Sequence, residues 1–226
     1  MTTPTSQRRW SFASPTPETF DDHAARSIPD YHHGHHLVLA LSDWFATGAG
    51  IVDAGCSTGT LTGQLAARHP RTPVHGLDIE PDMIAEARRR TTAATFAVGD
   101  ATTDLPPGPL DLVIAYHVVQ FLTADERRTL YRAIAAKLRR GGALIVYEKV
   151  RAATAFAQDI ETQLYHDFKT SQGLTAEQIL GKSTSLRGVM HCMTDRDSDA
   201  ALNEAGFETH EVHRRLGFRG VLAVTQ

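Results

Sequence analysis

Little in this sequence can hold a fold together covalently. Its 226 residues include only two cysteines, Cys56 and Cys192, so a disulfide framework is excluded. No stretch approaches ~18–20 unbroken apolar residues, which excludes a membrane-spanning helix. Neither sign of charge dominates. With 23 Lys and Arg against 26 Asp and Glu, the formal net charge is −3, which argues against a nucleic-acid binder that works by neutralising phosphates. The segment Met1 to Gln7 is polar and lacks the apolar core of a signal peptide. Internal repeats and low-complexity tracts are also missing. What is present is a 42% hydrophobic chain long enough for one domain, able to bury roughly 70–75% of its unfolded surface. A cytoplasmic globular protein is the expectation.

Residues 1–19, with Pro4, Pro15 and Pro17 among Thr and Ser, read as a poorly ordered arm. From residue 51 a rhythm begins. Short apolar runs at Ile51–Ala54, Val74–Leu77, Thr95–Val98, Leu110–Ala115 and Ala143–Tyr147 predict strands. Between them, Thr60–Arg68 and the stretch opened by Pro81 carry apolar residues at helical spacing. Thr123-Ala124-Asp125-Glu126 is a capping box for a third helix, carrying Leu130, Ile134 and Leu138, which Gly141-Gly142 is expected to stop. Strand–helix alternation implies a parallel sheet covered on both faces. After Val150 the rhythm changes: residues 151–190 read as helical. A helix near Ser198–Ala205 follows, then strands near Glu208–Leu216 and Val221–Thr225 that should pair as an antiparallel hairpin across Gly217. The fold class is α/β, a doubly wound sheet.

The most informative stretch is Ile51-Val52-Asp53-Ala54-Gly55-Cys56-Ser57-Thr58-Gly59-Thr60, between the first strand and first helix. Gly55 and Gly59 are expected to let backbone approach a ligand. The dinucleotide fingerprint would need glycine at 53 and 58, where Asp and Thr stand, and no Gly-Lys-Ser/Thr follows for a P-loop. An aspartate there suits a cationic ligand rather than a pyrophosphate. Asp78 ends the second strand and Asp100, followed by Ala101, ends the third.

This pattern, Asp-x-Gly-x-x-x-Gly followed by the two acids in order, resembles motif I and its partners in class I S-adenosylmethionine-dependent methyltransferases. The resemblance implies S-adenosylmethionine as cofactor. Asp53, Gly55, Cys56, Ser57 and Gly59 would form its loop, with Asp78 and Ile79 at the ribose and Asp100 and Ala101 at the adenine. From about Phe20 onward the chain also resembles one branch, the carboxy-S-adenosylmethionine synthases. The similarity runs through Arg26-Ser27-Ile28-Pro29-Asp30-Tyr31, Gln120-Phe121-Leu122, Glu148-Lys149, His166-Asp167-Phe168-Lys169, Val189-Met190 and Ala205-Gly206-Phe207. It implies a seven-stranded sheet forming one domain over residues 20–226. An N-terminal lid over 20–50 would bring Tyr31 to the cofactor, a helical insertion would span 151–200, and the chain would form a homodimer. In an ungapped reading, the arginine that holds the extra carboxylate in that branch falls at Ala201, and an expected asparagine falls at Tyr116. Alanine offers no bidentate contact, which weakens carboxy transfer unless Arg187 or Arg196 substitutes.

Three candidate catalytic residues follow. Tyr116 ends the fourth strand beside His117 and can orient an amine or act as a base. Glu148 ends the fifth strand next to Lys149, and only one of that pair should face the site because neighbours in a strand point oppositely. Tyr165 lies in the insertion with His166 and Lys169. His32-His33-Gly34-His35-His36 invites a metal, but no cysteine or carboxylate completes a set, so a solvated helix start and no metal is the expectation. The arginine runs 88–90 and 139–140 read as surface charge at helix C-termini. Four functions stay open: methyl transfer to a small molecule, S-adenosylmethionine as sole substrate cyclised internally, carboxy transfer, and a non-catalytic sensor. The sole-substrate reading leans on a lid expected to leave little room for an acceptor.

Overall fold

The computed structural model describes residues 16–225, so most of the expected arm lies outside the described residues. Residues 17–19 do not belong to an arm. Helix α1 (Pro17–Ser27) begins there, with proline in its first turn and Thr16 as an extended N-cap. Helix α2 (Tyr31–Ser42) follows after three residues. The alternating unit then runs β1 (Ile51–Ala54), α3 (Thr60–Arg68), β2 (Val74–Asp78), α4 (Pro81–Arg90), β3 (Thr95–Val98), β4 (Leu110–Tyr116), α5 (Ala124–Lys137) and β5 (Leu138–Lys149). The insertion supplies α6 (Ala155–Ser171), α7 (Ala176–Ser185) and α8 (Asp195–Glu204), and β6 (Phe207–Arg215) with β7 (Phe218–Thr225) closes the chain.

The sheet order is β3-β2-β1-β4-β5-β7-β6. β1 to β5 are mutually parallel, while β7 runs antiparallel to β5 and β6, as the hairpin pattern predicts. Strand order reverses between β1 and β4, and ligands bind at the carboxyl edge of such a switch point. Two cores follow from the period of two. Val52, Val113, Ala115, Leu144 and Val146 pack under Leu130 and Ile134 of α5 and Leu202 of α8. Ile51, Leu112, Ile114, Ala143 and Ile145 pack under Val38 of α2 and Leu61 and Leu65 of α3.

Three sequence expectations need correction. The third helix of the alternating unit ends at Lys137 rather than at the glycines, because Leu138 already pairs with Leu110 and the glycines sit within β5. Arg139 is therefore on a strand. It donates to Asp111 (2.7 Å) and to the Phe45 carbonyl (2.8 Å), fastening the α2–β1 connection to the sheet. Arg90 is no solvated decoration either: it bridges Glu86 (2.7 Å) on its own helix and Asp21 on α1.

Candidate functional site

The carboxyl edge opens into a cavity of ≈ 1400 Å³ roofed by α1, α2, α6 and α7. That exceeds the ~300–1,000 Å³ common for small-molecule sites, so the expectation of a cramped lid is wrong. Room remains beyond one ligand.

At the β1 end, the glycine loop is shaped by positive φ at Gly55 (82°), Ser57 (47°) and Gly59 (74°). The glycines serve the chain's own packing as much as a ligand's approach. A Cβ at Gly55 would lie 2.1 Å from a Val118 methyl, and one at Gly59 would lie 2.8 Å from Ala87 Cβ. Asp53, only 2% exposed, accepts from Thr62 Oγ1 (2.7 Å) and has no cationic side chain in ion-pair reach among the described residues. Burial pushes its carboxyl up to about 7, with Asp78 adding repulsion. The Asp78 carboxylate is held in position by backbone N–H groups, from Ser57 (2.8 Å) and Glu80 (3.0 Å), and burial raises its pKa too. Ile79 is exposed beside it on the cavity wall. Asp100 uses Oδ1 to accept from the amide and hydroxyl of Thr102 (2.8 and 2.7 Å), so it forms a turn that presents Ala101 and Thr102 to the cavity. Cys56 lines the cavity as a buried thiol whose pKa burial pushes up, which makes it unreactive.

The lid is fastened at both ends. Asp21 of α1 accepts from Thr58 Oγ1 (2.9 Å) and Thr60 Oγ1 (3.0 Å) of the glycine loop, contacts that sequence reading missed because they pair positions 37 and 39 residues apart. The α1–α2 junction is gripped by the two expected catalytic tyrosines. Tyr116 donates to the Tyr31 carbonyl (2.6 Å), and Tyr165 donates to the Ser27 carbonyl (2.8 Å). Both phenols spend their protons on the lid, and burial raises both pKa values, so neither is poised as a base in this arrangement. Asp30, at a left-handed φ of 57°, adds contacts to Arg215 and His213. The Tyr31 ring meets those of His35 (4.7 Å) and Tyr116 (5.5 Å).

The histidine run is not uniformly solvated. His32, His33 and His36 are exposed, but His35 is 3% exposed and burial pulls its pKa down to about 4. No group of metal-ligating side chains forms among the described residues. His117, at φ 61°, lines the cavity with Nδ1 buried and unpartnered, and burial pulls it down to about 3.

Glu148 does not reach the cavity. It is fully buried, facing α5 and α8, where it accepts from Arg127 (2.6 Å), Ser198 (2.6 Å) and Arg219 (3.1 Å). By strand alternation its neighbour Lys149 turns inward and lines the cavity with Tyr165, His166 and Lys169. Ala201 is 1% exposed within the α5-side core, and neither Arg187 nor Arg196 lines the cavity. The missing arginine at 201 therefore says nothing about this site.

Comparison with known proteins agrees with the geometry. A methyltransferase domain family profile matches residues 51–142. The carboxy-S-adenosyl-L-methionine synthase of Sodalis glossinidius is 33% identical over 210 residues, covering 88% of this chain and 83% of the relative. The Staphylococcus epidermidis protein of that name is 28% identical over 221 residues, covering 96% and 97%. Among solved structures, the Synechocystis magnesium protoporphyrin IX methyltransferase with bound SAH superposes with a TM-score of 0.67 at 20% identity, covering 96% and 98%, and shows the shared fold. The chain belongs to the carboxy-S-adenosyl-L-methionine synthase family, within the class I S-adenosylmethionine-dependent methyltransferase superfamily.

Proposed function

We propose that this protein binds S-adenosylmethionine along the β1–β2–β3 edge and catalyses methyl transfer to a small molecule held on the β4–β5 side. The observation that carries the first half is Asp53, a buried carboxylate on the cavity wall with no cationic side chain beside it among the described residues. Burying such a charge unpaired is costly, and a cationic ligand offsets that cost. In this reading Asp78, with its orientation set by two backbone amides, accepts from a ribose diol. Asp100 and Ala101 border the space an adenine would fill, and Tyr31 closes over the opposite, β4 end of the cavity, with its ring against those of His35 and Tyr116.

When bound, S-adenosylmethionine supplies an electrophilic carbon next to a sulfonium. The chain's residues then have to align a nucleophile with that carbon and keep water away. Tyr116 and Tyr165 serve that end by holding the lid closed. The cavity volume supports a second molecule in the site, which favours transfer over internal cyclisation. Carboxy transfer, the reaction named in the relatives, stays in play on one observation: Lys149 and Lys169 place cations on the cavity wall. A homodimer accompanies this reading, and the exposed α6 stripe of Phe156, Ile160 and Leu164 supports it.

Calorimetry with S-adenosylmethionine, followed by mass analysis of the nucleoside after incubation with candidate acceptors, is the test. Adenosylhomocysteine formed only with an acceptor supports methyl transfer. Methylthioadenosine formed without one, a carboxylated nucleoside, or tight binding without turnover would replace it with cyclisation, carboxy transfer or sensing.

A further inference from the structure

We propose that His35 and His117 form an acid-operated release for the lid: protons taken up by the two imidazoles free α1 and the start of α2 from the sheet.

The lid is built to open locally. Of the 11 residues of α1 only Ala24 is buried, so polar contacts near its ends hold the helix more than packing does. Asp21 grips the glycine loop, Tyr165 donates to the Ser27 carbonyl, and Arg26 donates to the carbonyls of Gln172 and Gly173 (3.0 Å each). Segments with few buried apolar contacts open at low cost. Further along α2 the balance reverses, because Val38 is fully buried in the core under the sheet. Between the two stands Gly34, the poorest helix former in α2. The movable piece is therefore residues 17–35.

Its seam with the sheet carries one imidazole on each side, and both line the cavity. His35, on α2, meets the rings of Tyr31 and Tyr116 at 4.7 Å each. His117, just past β4, meets Tyr116 (4.7 Å), Tyr147 (6.0 Å) and Phe218 (5.8 Å) edge-on. The Tyr31 ring stacks on it at 6.5 Å, beyond the ~6 Å over which a ring face holds a cation. Neither imidazole joins a hydrogen bond or an ion pair among the described residues, and Nδ1 of His117 is sealed from solvent without a partner. A second proton on that ring has no acceptor.

The charged and titratable groups around the pair do not supply one. Asp21 of α1, with His32 and His36 on the same helix, faces His35, while His35 and His213 of β6 face His117. Asp30 stands 3.3 Å from His213 instead, so a proton on His213 tightens the α1–α2 junction and repels one on His117. Asp53 looks into the same cavity from β1. Burial pulls His35 down to about 4, and burial with repulsion from His35 and His213 pulls His117 down to about 3. Opened to water, each returns toward an ordinary 6.5. The closed lid then binds fewer protons than the open one. Its stability is complete above pH 6.5 and is lost as pH falls below that value. Going from pH 8 to 5.5 favours opening about tenfold per imidazole and about a hundredfold for the pair. Access to the cavity thus depends on pH through the lid, separately from Asp53.

The test is hydrogen exchange of the ligand-free full chain between pH 8 and 5.5, with each rate divided by its intrinsic rate at that pH. Protection over residues 17–35 should fall about a hundredfold while β1, β4 and β5 keep theirs. His35→Gln and His117→Asn remove the titrating rings but keep neutral polar groups, and asparagine tolerates the left-handed φ of 61° at position 117. Each should remove about tenfold of the change, and the double variant all of it. A proton on Asp53 favours closing as pH falls, so acid opening in Asp53→Asn should be at least as steep as in wild type. A wild-type lid that stays protected at pH 5.5 overturns the proposal. So does an unchanged slope in the double variant, or a flattened one in Asp53→Asn. A parallel loss of protection in the strands also overturns it, because the whole fold is then unfolding. Should a variant fail to fold at pH 8, the wild-type profile decides alone: a slope of log protection against pH approaching two between pH 6 and 5 supports two imidazoles, and a slope of one or less refutes them.

Discussion

Replacing Tyr116 with phenylalanine separates a base from a latch. The phenol donates a 2.6 Å hydrogen bond to the Tyr31 carbonyl at the start of α2. Its ring also packs against Tyr147 and His35, contacts that phenylalanine keeps. The loss is therefore one neutral hydrogen bond, about 0.5–1.5 kcal/mol, or about twofold to tenfold in the population of the closed lid. Hydrogen exchange of the α1–α2 junction should accelerate by that factor, and S-adenosylmethionine affinity should fall by no more. Gly34 provides the companion perturbation. A Cβ there would lie 2.1 Å from the Tyr116 oxygen and 3.0 Å from the Tyr147 ring, so Gly34→Ala should open the lid further than Tyr116→Phe does. Combining the two removes the obstructing oxygen. The double variant should recover part of the loss, a coupling of about 0.5–3 kcal/mol for residues in contact. General base assistance would contribute about 10²–10⁴-fold to turnover. A Tyr116→Phe protein with unchanged exchange and affinity but turnover down a hundredfold would refute the latch.

Three further outcomes are expected. Glu148→Gln should destabilise the fold by about 3–5 kcal/mol in urea unfolding, because it strips the carboxylate paired with fully buried Arg127, while Arg219 keeps Asp199; unchanged stability would mean the Arg127–Glu148 pair is not buried as described. The raised carboxyl of Asp53, at about 7 against an ordinary 3.8, contributes stability to the ligand-free protein below pH ~4 that is lost as pH rises through 7. Asp53→Asn should remove that slope between pH 5 and 8, and wild-type affinity for S-adenosylmethionine should rise across the same window as the carboxylate ionises; parallel pH profiles for both proteins would sink the assignment. Gly55→Val should abolish binding through a clash with Val118 and a strained positive φ. Val118→Ala in the same chain should restore folding before binding, as read by circular dichroism and calorimetry, and restoration of neither would mean that the clash is not the cause.

The sequence by itself determined the architecture and the acidic half of the site. Short apolar runs alternating with amphipathic stretches leave few topologies, and Asp53 within β1, Asp78 at the end of β2 and Asp100 just past β3 all stand at strand ends that must lie at one sheet edge. Alternation along β5 even announced that Glu148 and Lys149 part company, without saying which turns inward. That choice belongs to the tertiary structure: Arg127 on α5 and Arg219 on β7 come from 21 and 71 residues away to claim the glutamate, leaving the lysine to the cavity. The roles of Tyr116 and Tyr165 were undecidable for the same reason, since their partners Tyr31 and Ser27 stand 85 and 138 residues distant. Ala201 was misjudged because an ungapped register cannot see that α8 turns that position into the core. Local pattern reports which face a residue takes relative to its neighbours along the chain. What meets it there is set by elements that only the packed fold brings together.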